Sequence, residues 1–279
     1  MNMRDWGWKS SDGLQIFAQS WEPDKNPKAV VALVHGLGEH SGRYAHVGKA
    51  FSEAGFALAG FDLRGHGKSG GPRGHIPSLE AVMGDIQLFC QGLEERFPNF
   101  SQFLYGHSLG GLLVLAYGTF KKHTIKGVIA SGPGLRSPVL EQKFKMNLAK
   151  ALGSLMPTMT IPTGLEVPFI SRDQRVVQAY QQDPLVHGVA TLAAARMGMD
   201  AVDWAFTHAS DFPVPLLLMN GSDDKLTYPH GSQEFADLVP KNCTLKFWEG
   251  LYHEIHNEPE QEQVFAFTID WMNSQLKKK

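Results

Sequence analysis

The sequence Gly-His-Ser-Leu-Gly at residues 106–110 fits the pattern Gly-x-Ser-x-Gly, which can present a serine as a nucleophile at a sharp turn. It follows the apolar run Phe103–Tyr105 and precedes the apolar stretch Leu109–Phe120, so a strand, a turn and a helix are predicted in that order. The flanking glycines leave room for strand and helix to approach the strained turn. The pattern predicts that Ser108 is an exposed nucleophile, with an ordinary serine in a glycine-rich turn as the alternative.

Other glycine-rich patterns in the chain are weaker. A second Gly-x-Ser-x-Gly, at residues 67–71, runs directly into Pro72 and lacks the helix that should follow. Gly65, Gly67 and Gly70 match a dinucleotide-binding pattern, but the next residues cannot begin the helix that would hold a pyrophosphate. The overlapping letters GHGKS lack the first glycine of a phosphate-binding loop. We interpret this segment as a tight turn after a strand.

A nucleophilic serine needs a base, and the base needs an acid that fixes its tautomer. In strand–turn–helix serine enzymes the chain order is serine, acid, histidine. Asp223 and Asp224 follow the predicted strand Leu216–Met219, and the letters HEIH, with two histidines, follow the predicted strand Thr244–Trp248. An Asp-rich turn and surface histidines are the alternatives. HEIH does not fit the zinc pattern H-E-x-x-H, so no metal site is predicted.

Attack by the serine on a carbonyl group gives a tetrahedral intermediate with a negatively charged oxygen, the oxyanion, which needs hydrogen-bond donors. Backbone N–H groups supply these donors in such enzymes. One is the residue after the nucleophile, Leu109. The segment His-Gly-Leu-Gly at residues 35–38 directly follows an apolar run, and its glycines leave the backbone open. We therefore predict the N–H of Leu37 as the second donor.

Short apolar runs alternate with helical patterns along most of the chain, which predicts a mostly parallel sheet covered by helices on both faces. The pattern of the opening residues predicts a β-hairpin at the edge of the sheet, with its turn at Gly13. The other predicted strands are Ala29–Val34, Phe56–Phe61, Phe103–Tyr105, Val128–Ala130, Leu216–Met219 and Thr244–Trp248, and the predicted helices are Tyr44–Ala54, Leu79–Phe97, Leu109–Phe120, a helix near Ser232–Leu238 and one from Pro259 to about Leu276.

The alternation stops between about Arg136 and Ala209, in a proline-rich block with a helical stretch and no clear strand. We interpret this block as an insertion that lies over the sheet. The predicted organisation is a core formed by residues 1–135 and 210–279, with a cap at residues 136–209.

Composition excludes several classes of protein. The 26 Lys and Arg against 28 Asp and Glu give a net charge of −2, so no nucleic-acid footprint is visible. The chain has 2 cysteines and neither a signal sequence nor a membrane span, which favours a cytoplasmic protein. We predict no cofactor.

Five segments together resemble the monoacylglycerol lipase and lysophospholipase family of α/β-hydrolases. They are HGLGEHSGRY at residues 35–44, GHSLGG, GSDDKL, EGLYHEIHNE and, within the block, SRDQRVVQAYQQDPLV. The resemblance implies the α/β-hydrolase fold, with a mostly parallel central sheet, helices on both faces and an inserted, mainly helical cap. It also implies that Ser108 is the nucleophile, Asp224 the acid and His253 the base.

The same resemblance implies a small polar pocket for glycerol, and it supports Leu37 and Leu109 as oxyanion donors. The pocket residues would be Glu39, Arg43, Tyr180 and His256. A structural ion pair between Arg43 and Glu39 is the alternative for those two. Cysteines that lie near the site in some animal relatives have no counterpart, since Thr227 occupies one of the positions.

One stretch of the cap has helical periodicity. Phe144, Leu148, Leu152 and Leu155 are spaced by four, four and three residues, while Lys143, Lys145, Asn147 and Lys150 face elsewhere. The pattern predicts an amphipathic helix that serves either as a lid packed on the core or as a peripheral membrane contact. Met146, Met156 and Met159 add adaptable apolar surface for acyl chains.

These observations predict a serine hydrolase that cleaves monoacylglycerols, lipid esters, through an acyl-enzyme intermediate. A lysophospholipase or broad carboxylesterase with the same residues is the alternative. A protein that binds a ligand on this scaffold without turnover is a third, more distant option.

Overall fold

The computed structural model of the chain describes residues 1–120, 123–142, 153–239 and 242–278. Its strands are β1 Asn2–Lys9, β2 Gln15–Glu22, β3 Val30–Val34, β4 Ala57–Phe61, β5 Gln102–His107, β6 Gly127–Ser131, β7 Thr160–Pro162, β8 Val189–Thr191, β9 Leu216–Gly221 and β10 Cys243–Trp248. Its α-helices are α1 Ala45–Glu53, α2 Leu79–Arg96, α3 Leu109–Phe120, α4 Gln174–Gln182, α5 Leu192–Thr207, α6 Pro229–Leu238 and α7 Gln261–Lys277.

Eight strands form one sheet in the order β1-β2-β4-β3-β5-β6-β9-β10. The strands from β4 to β10 in that order pair in parallel, and the β1–β2 hairpin is antiparallel and lies at one edge. Gly13 in the hairpin turn has φ +84°, a conformation that glycine adopts without steric cost. The predicted strands, edge hairpin and parallel sheet are confirmed, and the ends of the six predicted sheet strands differ from the observed ones by at most two residues.

The apolar runs are continuous because both faces of the sheet are covered. Along β3, Val30, Ala32 and Val34 pack into one cluster with α2 and α3, while Val31 and Leu33 pack into the opposite cluster with α1 and α7. All five of these side chains are fully buried. The central strands β3, β4, β5, β6 and β9 therefore contribute to two cores at once, and the carboxyl ends of the parallel strands lie along one edge of the sheet.

The block between β6 and β9 contains two short strands, so the expectation of no clear strand there is wrong. Strand β7 pairs antiparallel with β8, and Thr160 lies opposite Thr191. Each strand has three residues, too few to show an alternating pattern, and Pro162 in β7 weakened the signal further. Helices α4 and α5 lie in the same block.

The predicted amphipathic helix falls mainly outside the described residues, since residues 143–152 are not among them. Its described member Leu155 is 80% exposed, and Met156 and Met159 are also exposed. The cap boundaries at residues 136 and 209 stay a prediction. Across the described ranges, no helix has the length and apolar character needed to cross a bilayer.

Candidate active site

Ser108 lies between the end of β5 and the start of α3, with φ +56°. A positive φ is strained for any residue with a side chain, so the surroundings must hold it. The Ser108 N–H donates to the Ser131 carbonyl at 2.9 Å, and its own carbonyl accepts from the N–H groups of Leu112 and Gly134 at 3.0 and 3.1 Å. The turn is thereby fixed to the neighbouring strand β6 and to helix α3.

The glycines on either side of this turn are required by packing. A Cβ on Gly106 would overlap the carbonyl oxygen of Gly110, and a Cβ on Gly110 would overlap the carbonyl oxygen of Val34. Backbone atoms cannot move aside as a flexible side chain can, so both positions must be glycine. This matches the reason inferred from the sequence for the flanking glycines.

The loops after β9 and β10 bring an acid and a histidine together. Nδ1 of His253 donates to Oδ2 of Asp224 at 2.8 Å, and both side chains are buried. Oδ1 of Asp224 accepts from the backbone N–H groups of Leu226 and Thr227, each at 2.9 Å. The neighbouring Asp223 is exposed and bonds to Ser222 instead. Of the two acids left open by spacing, only Asp224 contacts His253.

The surrounding charges stabilise the protonated form of His253. Burial disfavours that form, but the Asp224 carboxylate, helped by Glu254 and Glu39, outweighs burial and raises the pKa of His253 above its ordinary value of 6.5. Burial also disfavours the Asp224 carboxylate, yet His253 outweighs it and the pKa of Asp224 falls below 3.8. The ring of His107 packs on His253 at 4.6 Å, and burial lowers the pKa of His107 to about 4, so this neighbour stays neutral.

Ser108 and His253 line one small cavity of about 20 Å³. Two carboxylates, Glu39 and Glu254, also line it. The block between β6 and β9 contributes mainly apolar side chains. The remaining lining residues are Gly36, Leu37, His107, Leu165, Ile170 and Tyr180.

The backbone N–H groups of Leu37 and Leu109, near Ser108, are without a protein acceptor among the residues that the structure describes. Leu109 begins helix α3, where N–H groups have no partner within the helix and the helix dipole favours negative charge. Leu37 follows Gly36, where an added Cβ would lie 3.1 Å from Cβ of Ser108. Both donors therefore belong to segments packed directly around Ser108.

A buried ion cluster forms one side of the site. Nη1 of Arg43 donates to Glu39 at 2.6 Å, and its two terminal nitrogens donate to the two carboxylate oxygens of Glu254 at 2.7 Å each. Glu39 also accepts from the Tyr44 hydroxyl at 2.8 Å and from the Gly36 N–H at 2.6 Å. Burial opposes ionisation of Glu39, but Arg43 outweighs it and holds the pKa of Glu39 at about 2. The structural ion pair left open by the sequence is present.

The four residues predicted for the polar pocket differ in whether they line the cavity. Glu39 and Tyr180 line the cavity, and Arg43 lies over the Tyr180 ring at 4.7 Å. His256 is fully buried, with its ring 4.9 Å from Tyr44 and 4.7 Å from His107, and it does not line the cavity.

Sequence reasoning missed four residues of the cavity. His107 and Glu254 are direct chain neighbours of Ser108 and His253, and that adjacency is a signal that could have identified them. Leu165 and Ile170 come from an irregular segment between β7 and α4, where no periodicity marks an inward-facing side chain. Within the described ranges, no three His, Cys, Asp or Glu side chains are arranged to hold a metal ion.

Comparison with known proteins shows the family of this chain. The family described as "Serine aminopeptidase, S33" matches residues 25–260. The chain belongs to this family. The chain is similar to an uncharacterized abhydrolase domain-containing protein of Dictyostelium discoideum, 41% identical over 270 residues, which cover 96% of this chain and 28% of that relative. The chain thus spans less than a third of that relative's length.

Two further relatives match over nearly their whole length. A monoacylglycerol lipase of Mycolicibacterium smegmatis is 36% identical over 271 residues, which cover 95% of each chain. The crystal structure of a monoacylglycerol lipase from Paleococcus ferrophilus has 34% sequence identity and a TM-score of 0.84, and the match covers 99% of this chain and 100% of that one. The family resemblance drawn from the motifs is confirmed, as is the α/β-hydrolase fold. The protein is a serine hydrolase of this family.

We expect Gly110→Ala to lower the free energy of unfolding by about 3 kcal/mol, because the new methyl group overlaps backbone atoms that cannot relax. Gly84→Ala is the matched control. Gly84 lies within α2 with nothing within 4 Å of an added Cβ, so this exchange should stabilise the protein by about 0.5–1 kcal/mol. Urea unfolding measures both. Equal stability of Gly110→Ala and the parent protein would contradict the close packing of the turn.

We expect Arg43→Met to lower the free energy of unfolding by about 3–5 kcal/mol at pH 8, because two buried carboxylates lose their cation. The loss should be smaller at pH 5. Without Arg43 the pKa of Glu39 rises, so at pH 5 the folded variant binds a proton there and avoids the buried charge. Arg175→Met, which removes a surface ion pair with Asp173, should change stability at neither pH. Urea unfolding at both pH values is the measurement, and a loss of equal size at both would contradict this account.

Proposed function

We propose that this serine hydrolase cleaves the ester bond of monoacylglycerols, releasing a fatty acid and glycerol. The observation that carries the proposal is the position of Ser108 beside His253 in a cavity lined both by carboxylates and by the apolar side chains Leu165 and Ile170. Such a lining suits a molecule with a polar head and an apolar chain. Two relatives with 36% and 34% identity, both monoacylglycerol lipases by name, support the same substrate class.

In the proposed acylation, the oxygen of Ser108 attacks the ester carbonyl carbon while its proton moves to Nε2 of His253. Asp224 stays ionised, accepts the Nδ1–H bond and stabilises the imidazolium. The carbonyl oxygen becomes an oxyanion, and the N–H groups of Leu37 and Leu109 stabilise it. The ester C–O bond then breaks, and glycerol leaves with the proton held by His253.

Deacylation repeats these steps with water as the nucleophile. His253 takes a proton from the water as its oxygen attacks the acyl carbonyl, and the same two N–H groups stabilise the second oxyanion. The bond to Ser108 breaks, its oxygen recovers the proton, and the fatty acid leaves. One ester and one water are consumed, and one acid and one alcohol form.

The ion cluster favours glycerol over a phosphorylated head group. Arg43 is the cation beside the cavity, and it is already bound by Glu39 and by both carboxylate oxygens of Glu254. With all three side chains ionised, the cluster carries a net charge of −1 and repels a phosphate. Glycerol hydroxyls can instead donate to carboxylate oxygens.

The family description also suggests a second activity, that of an aminopeptidase. The same cluster favours ester cleavage over that activity. The free amine of a peptide is a cation and would need a carboxylate without a partner near Ser108. Both carboxylates that line the cavity are already bound by Arg43. The site therefore offers a peptide amine weak binding.

We further propose that the cap moves as substrate enters and contacts the lipid surface. A cavity of about 20 Å³ holds about one water molecule, so the acyl chain needs Leu165, Ile170 and Tyr180 to shift. Leu155 and Met156 expose apolar surface on the same block, at 80% and 51%. Such side chains suit a peripheral contact with a bilayer.

We expect kcat/KM for monoolein to exceed that for lysophosphatidylcholine, a short p-nitrophenyl ester and an aminoacyl p-nitroanilide by about tenfold or more. Ser108→Ala should lower monoolein hydrolysis by at least about 1,000-fold, because the nucleophile is lost. Ser274→Ala, at an exposed position in α7, is the matched control and should keep full activity. The measurement is the initial rate of hydrolysis of each of these substrates by the parent protein and by both variants. Monoolein as the poorest substrate would contradict the glycerol pocket, and equal rates with and without the Ser108 hydroxyl would contradict the mechanism.

A further inference from the structure

The hydroxyl of Thr227 lies where three loops of the site meet, and the reaction scheme above does not use it. Its oxygen, Oγ1, is 2.8 Å from Oδ2 of Asp224, 3.0 Å from the carbonyl oxygen of Gly132 and 3.1 Å from Nδ1 of His253. These atoms belong to the loops that follow β9, β6 and β10 respectively. Thr227 is buried, so water does not compete for these contacts.

The hydroxyl of Thr227 has one proton for two acceptors. The Asp224 carboxylate and the Gly132 carbonyl can only accept, so the proton serves one of them at a time. Nδ1 of His253 carries the proton that it donates to Asp224, and a lone pair of Oγ1 can face that same N–H. The exchange between the two acceptors needs only a rotation of the hydroxyl hydrogen.

The atoms around this hydroxyl are held in place. Gly132 has φ +50°, its N–H donates to the Met219 carbonyl at 2.7 Å, and an added Cβ there would lie 3.1 Å from Nδ1 of His253. Asp224 is held at its other oxygen by two backbone N–H groups. Both acceptors therefore stay fixed while the hydroxyl hydrogen is free to turn.

We propose that Thr227 is a positioning residue whose hydroxyl changes acceptor when His253 becomes charged. In the resting enzyme the hydroxyl donates to Oδ2 of Asp224, beside the bond from His253. When His253 takes the proton of Ser108, the hydroxyl donates to the Gly132 carbonyl and turns a lone pair toward the Nδ1–H of the imidazolium. The imidazolium then has a second acceptor, and Oδ2 keeps only the long bond from Nδ2 of Asn220, at 3.4 Å, as a competing donor. Bonds of this kind to a charged donor are the strong ones.

This inference rests on the proposed function, and three variants test it. Thr227→Val removes the hydroxyl at nearly constant volume, Thr227→Ser keeps the hydroxyl, and Thr268→Val makes the same exchange at a buried threonine that donates within helix α7. We expect kcat for monoolein to fall about tenfold in Thr227→Val, with KM within about twofold, because the bond forms only as His253 becomes charged. Thr227→Ser and Thr268→Val should stay close to the parent protein.

The pH profile separates this role from a loss of packing. In the parent protein, kcat/KM should rise with pH through the pKa of His253, which lies above 6.5. Without the lone pair the charged form is less stable, so this pKa should fall by about one unit in Thr227→Val, the same free energy as the tenfold loss in kcat, and return in Thr227→Ser. The other ionisable groups that face His253 stay unchanged in every variant; they are Asp224, Glu254, Glu39, His107 and His256.

All rates are divided by the concentration of reactive sites, obtained by titration with a fluorophosphonate, so that a partly folded sample does not imitate the effect. If Thr227→Val does not fold, Thr227→Ala takes its place with the same expectation. Unchanged kcat and pKa in the variant without the hydroxyl would overturn the proposal. A Thr227→Ser variant that behaves like Thr227→Val would overturn it too.

Failure of the proposed function gives a different result. If the parent protein does not hydrolyse monoolein but does hydrolyse a p-nitrophenyl ester, the substrate assignment is wrong. The Thr227 comparison is then made on the p-nitrophenyl ester, with the same expected loss and the same overturning outcomes.

Discussion

The close approach of helix α3 to strand β3 is the constraint on which the rest of the site depends. It forces the chain to reverse at Ser108 with φ +56°, and it leaves no room for a side chain at Gly110, next to the Val34 carbonyl. The same approach brings the loop after β3 beside the serine, where a Cβ on Gly36 would lie 3.1 Å from Cβ of Ser108, so Leu37 lies on the same side as Leu109, the chain neighbour of Ser108. One packing contact thus positions both the serine and the backbone donors around it.

The site also buries five charged or chargeable side chains in a small volume, and pairing makes this tolerable. Asp224 pairs with His253, and Arg43 joins Glu39 to Glu254. The two groups are linked, because Glu39 and Glu254 both favour the protonated form of His253. The ion cluster therefore does more than line one side of the cavity, since its negative charge favours protonated His253, the form that the proposed mechanism requires in each half-reaction.

Much of this arrangement could be predicted from the sequence because it depends on local patterns. Buried parallel strands are continuous apolar runs, and the sharp turn requires glycines at fixed spacing, so both are visible in the residues. Spacing alone left Asp223 and Asp224 open, since both follow the same strand, and it was the family resemblance that implied Asp224. The backbone geometry turns Asp224 toward His253. The bond between Arg43 and Glu254 joins residues 211 positions apart, a distance over which no local pattern carries information.

The central claim is that the Ser108 hydroxyl is abnormally reactive because His253 and Asp224 activate it. Labelling by a fluorophosphonate, followed by mass spectrometry of the labelled peptide, tests this claim most directly. We expect the label on Ser108, none on the Ser108→Ala variant, and a reaction at least about 1,000-fold slower in Asp224→Asn. A folded protein in which Ser108 stays unlabelled, or in which Asp224→Asn labels at the parent rate, would contradict it.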